Sequence, residues 1–302
     1  MGAWLAGWLV GLAFRLLRWL GPDRAPALCG ALMRRVGPLL PAHRIGRENL
    51  RAAFPDRDAA WVAATLSGAW DNLGRVAGEY VHLDRLWDLR PGQAGRRVEF
   101  ADGGTLAALA ARGGPVLAFA AHLGNWEMPG LIAPSFGIPS AMAYRMPNNR
   151  AVAAHILNLR RGLMGELIRG ESRAGLAMRR ALGEGKLLGM LIDQHFSRGV
   201  EIAFLGRACW ANPTLARLAR RFDCPVIGAR VIRLPGGRFR VEVTPPLDLP
   251  RDGEGRIDVI GATQAMNDLI SAWVREHPEQ YLWFHRRWRI AQPRMAWAAR
   301  RR

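Results

Sequence analysis

The sequence predicts an α/β fold: a mixed, mostly parallel sheet flanked by helices and preceded by an N-terminal hydrophobic helix. Three observations support this prediction. From about residue 98 onward, short apolar runs alternate with helical patterns, as in β-α-β units. Before that point the pattern is helical. Residues 3–20 are almost wholly hydrophobic, and only two arginines interrupt them.

The hydrophobic segment at the N-terminus predicts a membrane-anchor helix over residues 1–22. It contains Trp4, Trp8 and Trp19, and Arg15 and Arg18 interrupt it. Its uncharged part is shorter than the roughly 20 residues that a spanning helix needs, and no signal-peptide cleavage site follows. We expect an uncleaved anchor that either lies in the interface with its arginines reaching lipid head groups or inserts more deeply. The alternative is an ordinary helix packed on the core.

The rest of the chain divides into three segments. Residues 23–97 form a helical segment that packs on the core, starting after the break at Gly21-Pro22. Residues 98–290 are predicted to form an α/β domain that carries the candidate chemistry described below. Residues 291–302 form a basic tail that has arginines but no acidic residue, and such a tail suits an anionic membrane surface.

The α/β segment contains five predicted strands and five predicted helices. The strands are 116–121, 140–144, 187–192, 226–231 and 239–243, and the helices are 105–111, 148–167, 175–182, 213–221 and 259–276. The last two strands are joined through Pro235-Gly236-Gly237, which predicts an antiparallel hairpin. No internal repeat is evident.

The net charge of +18 comes almost entirely from arginine, since Lys186 is the only lysine. Arginine binds phosphate and carboxylate through a planar fork, so anionic partners are indicated: phospholipid head groups, phosphorylated sugars, an acidic carrier protein or nucleic acid. The alternative is a genomic codon preference for arginine. The three cysteines are scattered and form no Cys-x-x-Cys pair, so we expect no metal site and no cofactor.

The stretch from Val116 to Glu127 carries the candidate chemistry. A buried strand ends at His122, Gly124 permits a tight turn, and Glu127 follows. Ligands gather outside the carboxyl ends of parallel strands. The His-x4-Glu spacing therefore predicts a general base, with the carboxylate of Glu127 holding the second ring nitrogen. The alternative is a structural histidine followed by an acid in the first turn of a helix.

Several other enzyme classes lack their motifs in this chain. There is no Gly-x-Ser-x-Gly, so a serine esterase is disfavoured. There is no His-Glu-x-x-His and no phosphate-binding glycine-rich loop, which disfavours a metallohydrolase and a nucleotide-dependent enzyme. Nor does a nucleic-acid-binding motif accompany the positive charge.

Four further segments follow His122-Leu-Gly-Asn-Trp-Glu127 in order: Tyr144-Arg145, Asp193-Gln194, Asn212-Pro213-Thr214 and Pro278-Glu-Gln-Tyr-x-Trp-x-His-Arg-Arg287. Together they resemble the lipid A biosynthesis acyltransferase family, within the larger lysophospholipid-acyltransferase-like superfamily. The resemblance extends over most of the chain. It implies His122 and Glu127 as catalytic residues, and Asn125, Arg145, Asp193, Gln194 and Arg286 as substrate-binding residues.

The resemblance also implies a reaction and a place. The enzyme would sit on the cytoplasmic face of the inner membrane and move a fatty acyl chain from acyl carrier protein to a hydroxyl of a lipid A precursor. Met146 after Arg145, and His195 after Gln194, depart from the family pattern and leave acyl length and acceptor position open. One alternative is another glycolipid or phospholipid acceptor, such as a phosphatidylinositol mannoside, with acyl-CoA as donor. The other is a non-enzymatic basic protein that binds membranes or nucleic acid.

Overall fold

A computed structural model of the protein describes residues 2–93, 95–144, 156–160, 162–170 and 174–288. Arg145, residues 148–155 and 161 of the predicted helix 148–167, and the basic tail 291–302 lie outside these residues. The division of the chain at residues 22, 97 and 290 stays a prediction.

The N-terminal third is helical. Helix α1 (Gly2–Val36) is interrupted at Gly21, whose φ of 84° is outside the helical range, so the break predicted at Gly21-Pro22 is present. A 3-10 turn (Gly37–Leu39) leads to α2 (Pro41–Ala53), and α3 (Ala59–Glu79) follows. Within the described ranges, no helix combines the length and the apolarity that crossing a bilayer requires.

Helices α1 and α3 pack closely along each other because small residues line their contact. A Cβ atom at Gly74 of α3 would come within 2.3 Å of the carbonyl oxygen of Cys29 in α1. Real Cβ atoms do not approach a carbonyl so closely, so glycine is required there. The contact fixes α3, whose C-terminal end reaches the candidate site. After α3 come a 3-10 turn (Tyr80–His82) and the short α4 (Leu83–Leu86).

The described part of the chain forms a seven-stranded sheet in the order β1-β9-β8-β2-β5-β3-β4. Its strands are β1 (Val98–Ala101), β2 (Val116–Ala120), β3 (Ser140–Tyr144), β4 (Glu166–Arg169), β5 (Leu187–Leu191), β8 (Val226–Leu234) and β9 (Arg238–Val243). Every neighbouring pair is parallel except β8 and β9, which form the predicted hairpin. The predicted α/β class and mostly parallel sheet are confirmed.

Helices cover both faces of this sheet, as the alternating pattern predicts. They are α5 (Thr105–Arg112), α6 (Pro129–Ser135), α7 (Ala174–Gly183), α8 (Thr214–Phe222) and α9 (Val259–Glu276). One buried cluster includes Phe119 and Trp273 together with α3, α7, α8 and α9. The other lies on the opposite face, under α4, α5 and α6.

Four strands are absent from the sequence prediction. β1 and β4 are edge strands of only four residues each, and β4 occupies positions 166 and 167, which were predicted to end a helix. β6 (Val200–Phe204) and β7 (Arg207–Ala211) form a separate antiparallel hairpin. The predicted helical end at 166–167 is therefore wrong.

Candidate active site

The site is built at the carboxyl edge of the sheet, where β2 and β5 lie side by side. The two strands are parallel, and Ala120 is in register with Leu191. His122 and Asp193 each follow their strand by two residues, so the shared register brings them together. Nδ1 of His122 lies 2.8 Å from Oδ1 of Asp193, and the backbone N–H of His122 donates to Oδ2 at 2.9 Å.

The carboxylate sets the tautomer and the basicity of the ring. Because Asp193 is fully buried and acts as acceptor, Nδ1 of His122 carries the proton and Nε2 keeps its lone pair. Burial lowers the pKa of His122, but the charge and hydrogen bond of Asp193 and the charge of Glu127 outweigh it, so the pKa is raised. Burial raises the pKa of Asp193, but the charge and the hydrogen bond of His122 hold that pKa well below its usual value.

The reactive nitrogen of His122 meets the side chain of Gln194. The amide Nε2 of Gln194 lies 3.3 Å from Nε2 of His122, close enough to donate a weak hydrogen bond to the lone pair. The loop that carries Gln194 is held by Arg287, which is 1% exposed and donates to the carbonyl oxygens of Gln194 and Trp210. The ring itself is 15% exposed, so a substrate atom can reach it.

Glu127 does not form the predicted hydrogen bond to His122. Its carboxylate instead accepts two hydrogen bonds from Arg160, from Nη2 at 2.8 Å and from Nε at 3.0 Å. Asp193 takes the position beside the ring that the His-x4-Glu spacing assigns to Glu127. The guanidinium of Arg160 also lies over the rings of Tyr144 and Tyr80, 5.4 and 5.9 Å from their centres. Glu127 therefore acts on His122 through its charge alone.

The turn between His122 and Glu127 is fixed by close packing and by hydrogen bonds. Gly124 has a φ of 56°, and a Cβ there would lie 1.9 Å from the carbonyl oxygen of Val231. Its backbone N–H donates to the carbonyl of Gln280 at 3.0 Å, and Asn72 of α3 donates to the carbonyls of both Gly124 and Gln280. The turn thus depends on a glycine at position 124 and on the segment that contains Gln280.

A buried ion pair supports the same turn. Arg233 of β8 binds Glu79 at the end of α3 through both of its terminal nitrogens, and its Nε donates to Asn72 at 3.0 Å. Asn125 donates to Glu79 at 2.8 Å and accepts from the N–H of Glu127 at 3.1 Å. Asn125 is fully buried and its amide forms hydrogen bonds inside the protein. Its role in substrate binding stays a prediction.

A mostly apolar cavity, named here the sheet cavity, opens beside Glu127 and Arg160. Its outline encloses about 660 Å³ of empty space, part of it open to solvent. β2, β3 and β5 provide one wall, including Ala118, Met142 and Gly189, and α6 lies opposite. Trp126, Glu127, Tyr144 and Arg160 are at its polar end.

The structure thus gathers His122, Asp193 and Gln194, with Glu127 beside them at the cavity mouth. Arg286 is exposed, and its neighbour Arg287 is the arginine that reaches the site. The sequence reasoning did not assign Arg160 or Arg287 a role. No sequence signal marked Arg160, because the burial of Glu127, which requires a cation as partner, is visible only in the structure.

A second histidine lies close to the pair. Nδ1 of His285 donates to the carbonyl of Leu282 at 3.1 Å, and its buried Nε2 has no hydrogen-bond partner among the described residues. Burial lowers the pKa of His285 to about 4, so this ring is neutral at neutral pH. In the parts of the chain that the structure describes, no group of three or more His, Cys, Asp or Glu side chains is arranged to hold a metal ion.

An oriented imidazole at the carboxyl edge of an α/β sheet can act as a general base on a ligand bound there. The family profile described as bacterial lipid A biosynthesis acyltransferase matches residues 1–290, and the chain belongs to this family. The predicted resemblance is confirmed. The family indicates an acyltransferase of lipid A biosynthesis with a lipid A precursor as substrate. No individual curated protein shows significant similarity to the chain.

Proposed function

We propose that this acyltransferase moves a fatty acyl chain from the thioester of acyl carrier protein to a hydroxyl of a lipid A precursor, with His122 as general base. The observation that carries the proposal is the contact between His122 and Asp193, which leaves Nε2 of His122 as the proton acceptor. The ring of Trp126, 5.5 Å from the imidazole between ring centres, lines the sheet cavity. Asp193 takes the orienting role that the sequence assigned to Glu127. Glu127 and Arg160 line the cavity mouth.

The reaction needs no covalent enzyme intermediate, because a thioester is already activated. The acceptor hydroxyl gives its proton to Nε2 of His122 while its oxygen attacks the thioester carbonyl. The buried carboxylate of Asp193 stabilises the imidazolium that forms. When the tetrahedral intermediate collapses, the C–S bond breaks and the leaving thiolate takes the proton from His122.

Gln194 is positioned to serve this step. A hydroxyl that binds Nε2 of His122 replaces the Gln194 amide, whose N–H groups then lie beside the reacting atoms. Hydrogen-bond donors at the developing oxyanion are worth about 10²–10³-fold in rate. Arg286, which is exposed, and Arg145, which is outside the described residues, remain proposed contacts to the anionic groups of the substrates.

The test is a product analysis with purified full-length enzyme. We expect a mass increase of one acyl chain on a lipid A precursor when acyl carrier protein thioester is the donor. His122→Ala should reduce turnover by roughly 10²–10⁴-fold, the usual share of a general base. Transfer at wild-type rate by this variant would overturn the mechanism. Product formed only from acyl-CoA, or only on a phosphatidylinositol mannoside, would move the protein to another substrate class.

The sheet cavity is expected to set the length of the transferred chain. Met142 lies directly over Gly189, since a Cβ at position 189 would come within 2.6 Å of the Met142 side chain. Met142→Ala should therefore lengthen the preferred acyl chain. Gly189→Ala forces Met142 to shift, so it should change the preferred chain length without abolishing turnover. Competition between carrier-bound thioesters, scored by product mass, measures this. Leu176→Ala on the exposed side of α7 is the control.

We propose that the enzyme works on the cytoplasmic face of the inner membrane. Seven large apolar side chains of α1 and the turn after it are exposed: Leu12, Leu16, Trp19, Leu28, Leu32, Val36 and Leu39. Exposed apolar surface of this kind, interspersed with arginines, suits an interface with anionic lipid. The protein lacking residues 1–20 should leave the membrane fraction while the full chain stays. Equal partition of the two would contradict the proposal.

A further inference from the structure

A second large concavity lies on the other side of Arg160, between α1 and the residues near 160. This α1 groove contains about 1530 Å³ of empty space, part of it open to solvent. Its apolar surface comes from Phe14 and Trp19 of α1, Leu83, and Leu159 and Leu163. The described elements that form it are far apart in sequence, so no local motif marks it.

The α1 groove and the sheet cavity share one wall. Tyr80 lines the groove, and the guanidinium of Arg160 lies 5.9 Å from the centre of the Tyr80 ring. Arg160 in turn lines the sheet cavity and binds Glu127. Two apolar compartments therefore meet at the ion pair of Glu127 and Arg160. Glu127 follows His122 by five residues. A reaction that joins two lipid-like substrates needs two such compartments.

The rim of the α1 groove carries arginines. Arg18 is neutralised by Asp84, to which it donates two hydrogen bonds of 2.6 Å. Arg15 is exposed, and among the described residues it has no ion pair. A guanidinium without an ion pair, at the edge of an apolar groove, can donate hydrogen bonds to the phosphate of an acyl-bearing lipid.

The two compartments differ in how a substrate can enter them. Leu12, Leu16 and Trp19 are exposed on the same half of α1 that lines the groove, so the groove opens on the apolar surface of the protein. A membrane-embedded substrate enters there without leaving lipid. The sheet cavity lies between the sheet and α6, and it suits a single chain delivered by a water-soluble carrier.

We propose that the α1 groove binds the acceptor: it takes an acyl chain already attached to the lipid A precursor, with a phosphate of that lipid at Arg15. The transferred chain occupies the sheet cavity. This inference rests on the proposed function, because it names the place of one of its two substrates. It assigns a binding role to the N-terminal half of α1 beyond that of an anchor.

Photo-crosslinking tests the proposal without requiring turnover. The probe is a phosphorylated, acylated glucosamine disaccharide with a diazirine in one acyl chain, bound to the full-length protein in phosphatidylcholine vesicles. Peptide mapping should place its adducts on residues 11–19, 80–84 and 158–163. A diazirine in the chain of carrier-bound thioester should instead label β3 and β5. Acceptor adducts confined to β3 and β5, or equal labelling of the groove by phosphatidylglycerol, would overturn the inference.

Two variants separate the chain site from the phosphate site. Leu159→Trp narrows the groove and should raise the KM for the acceptor about tenfold, with the KM for the donor unchanged; Leu176→Trp on α7 is the matched control. Arg15→Gln should weaken binding of the phosphorylated lipid about tenfold, the usual scale of a charge-assisted hydrogen bond. It should leave the dephosphorylated lipid unaffected. Equal effects on both lipids would contradict the assignment of the phosphate to Arg15.

The outcomes distinguish this inference from the proposed function. Acceptor adducts in the α1 groove without any acyl transfer would reject the proposed reaction and keep the groove as a lipid site. Acyl transfer with acceptor adducts elsewhere would reject the groove and keep the reaction.

Discussion

Asp193→Asn is expected to reduce turnover by roughly 10²–10⁴-fold, because the general base loses the charge that orients it and stabilises its protonated form. The variant should also shift the pH profile. In the wild type the carboxylate raises the pKa of His122, so kcat/KM should fall as pH drops through a value above 6.5. Without that charge, burial dominates and lowers the pKa, so the acidic limb should move to lower pH.

Two variants control this experiment. Glu127→Gln should move the acidic limb in the same direction but less far, because Glu127 contributes only its charge to the pKa of His122. Asp223→Asn should change neither rate nor profile, because Asp223 precedes β8 at the opposite edge of the sheet and pairs with Arg251. A profile unchanged by Asp193→Asn would show that another group limits the reaction at low pH.

Glu79→Gln is expected to destabilise the fold by about 3 kcal/mol, the lower end of the cost of breaking a buried ion pair. Glu79 is 2% exposed, and the substitution leaves the guanidinium of Arg233 in the interior without its counter-charge. The His122 turn should loosen at the same time, since Asn125 donates to Glu79. Urea denaturation of the purified protein measures the change in the free energy of unfolding.

A surface ion pair is the matched control for this prediction. Glu99 pairs with Arg238 and Arg240 on exposed β-strands, so Glu99→Gln should cost about 0–1 kcal/mol. The double variant Glu79→Leu with Arg233→Leu removes both buried charges and should recover part of the lost stability. If Glu79→Gln and Glu99→Gln unfolded at the same urea concentration, the buried ion pair would contribute no more to the free energy of unfolding than the surface pair.

The sequence was sufficient for the fold class because the apolar runs of β2, β3, β5 and β8 are flanked by clear turn signals. It did not reveal the hairpin of β6 and β7. Their two-residue turn is Leu205-Gly206, with φ of 50° and 81°, a geometry that usually carries Asn-Gly or Asp-Gly. A leucine at the first position removes this turn signal.

The site was partly predictable for a related reason. His122 and Asp193 were both placed after strands, but chain order does not give sheet order. β5 lies between β2 and β3, although it follows both in the sequence. Only this placement brings Asp193 to Nδ1 of His122. Local spacing favoured Glu127, which is five residues away along the chain and forms its ion pair with Arg160 instead.

The amide of Gln194 against Nε2 of His122 bears on fidelity as well as on rate. The thioester donor is hydrolysed whenever the imidazole activates water instead of the lipid alcohol. While no alcohol is bound, the lone pair of the ring is already engaged by a carboxamide at 3.3 Å. Water must compete with that group, whereas an alcohol anchored by its own long chain displaces it with binding energy from elsewhere. In the proposed mechanism, the same contact protects the thioester donor from hydrolysis until the acceptor binds.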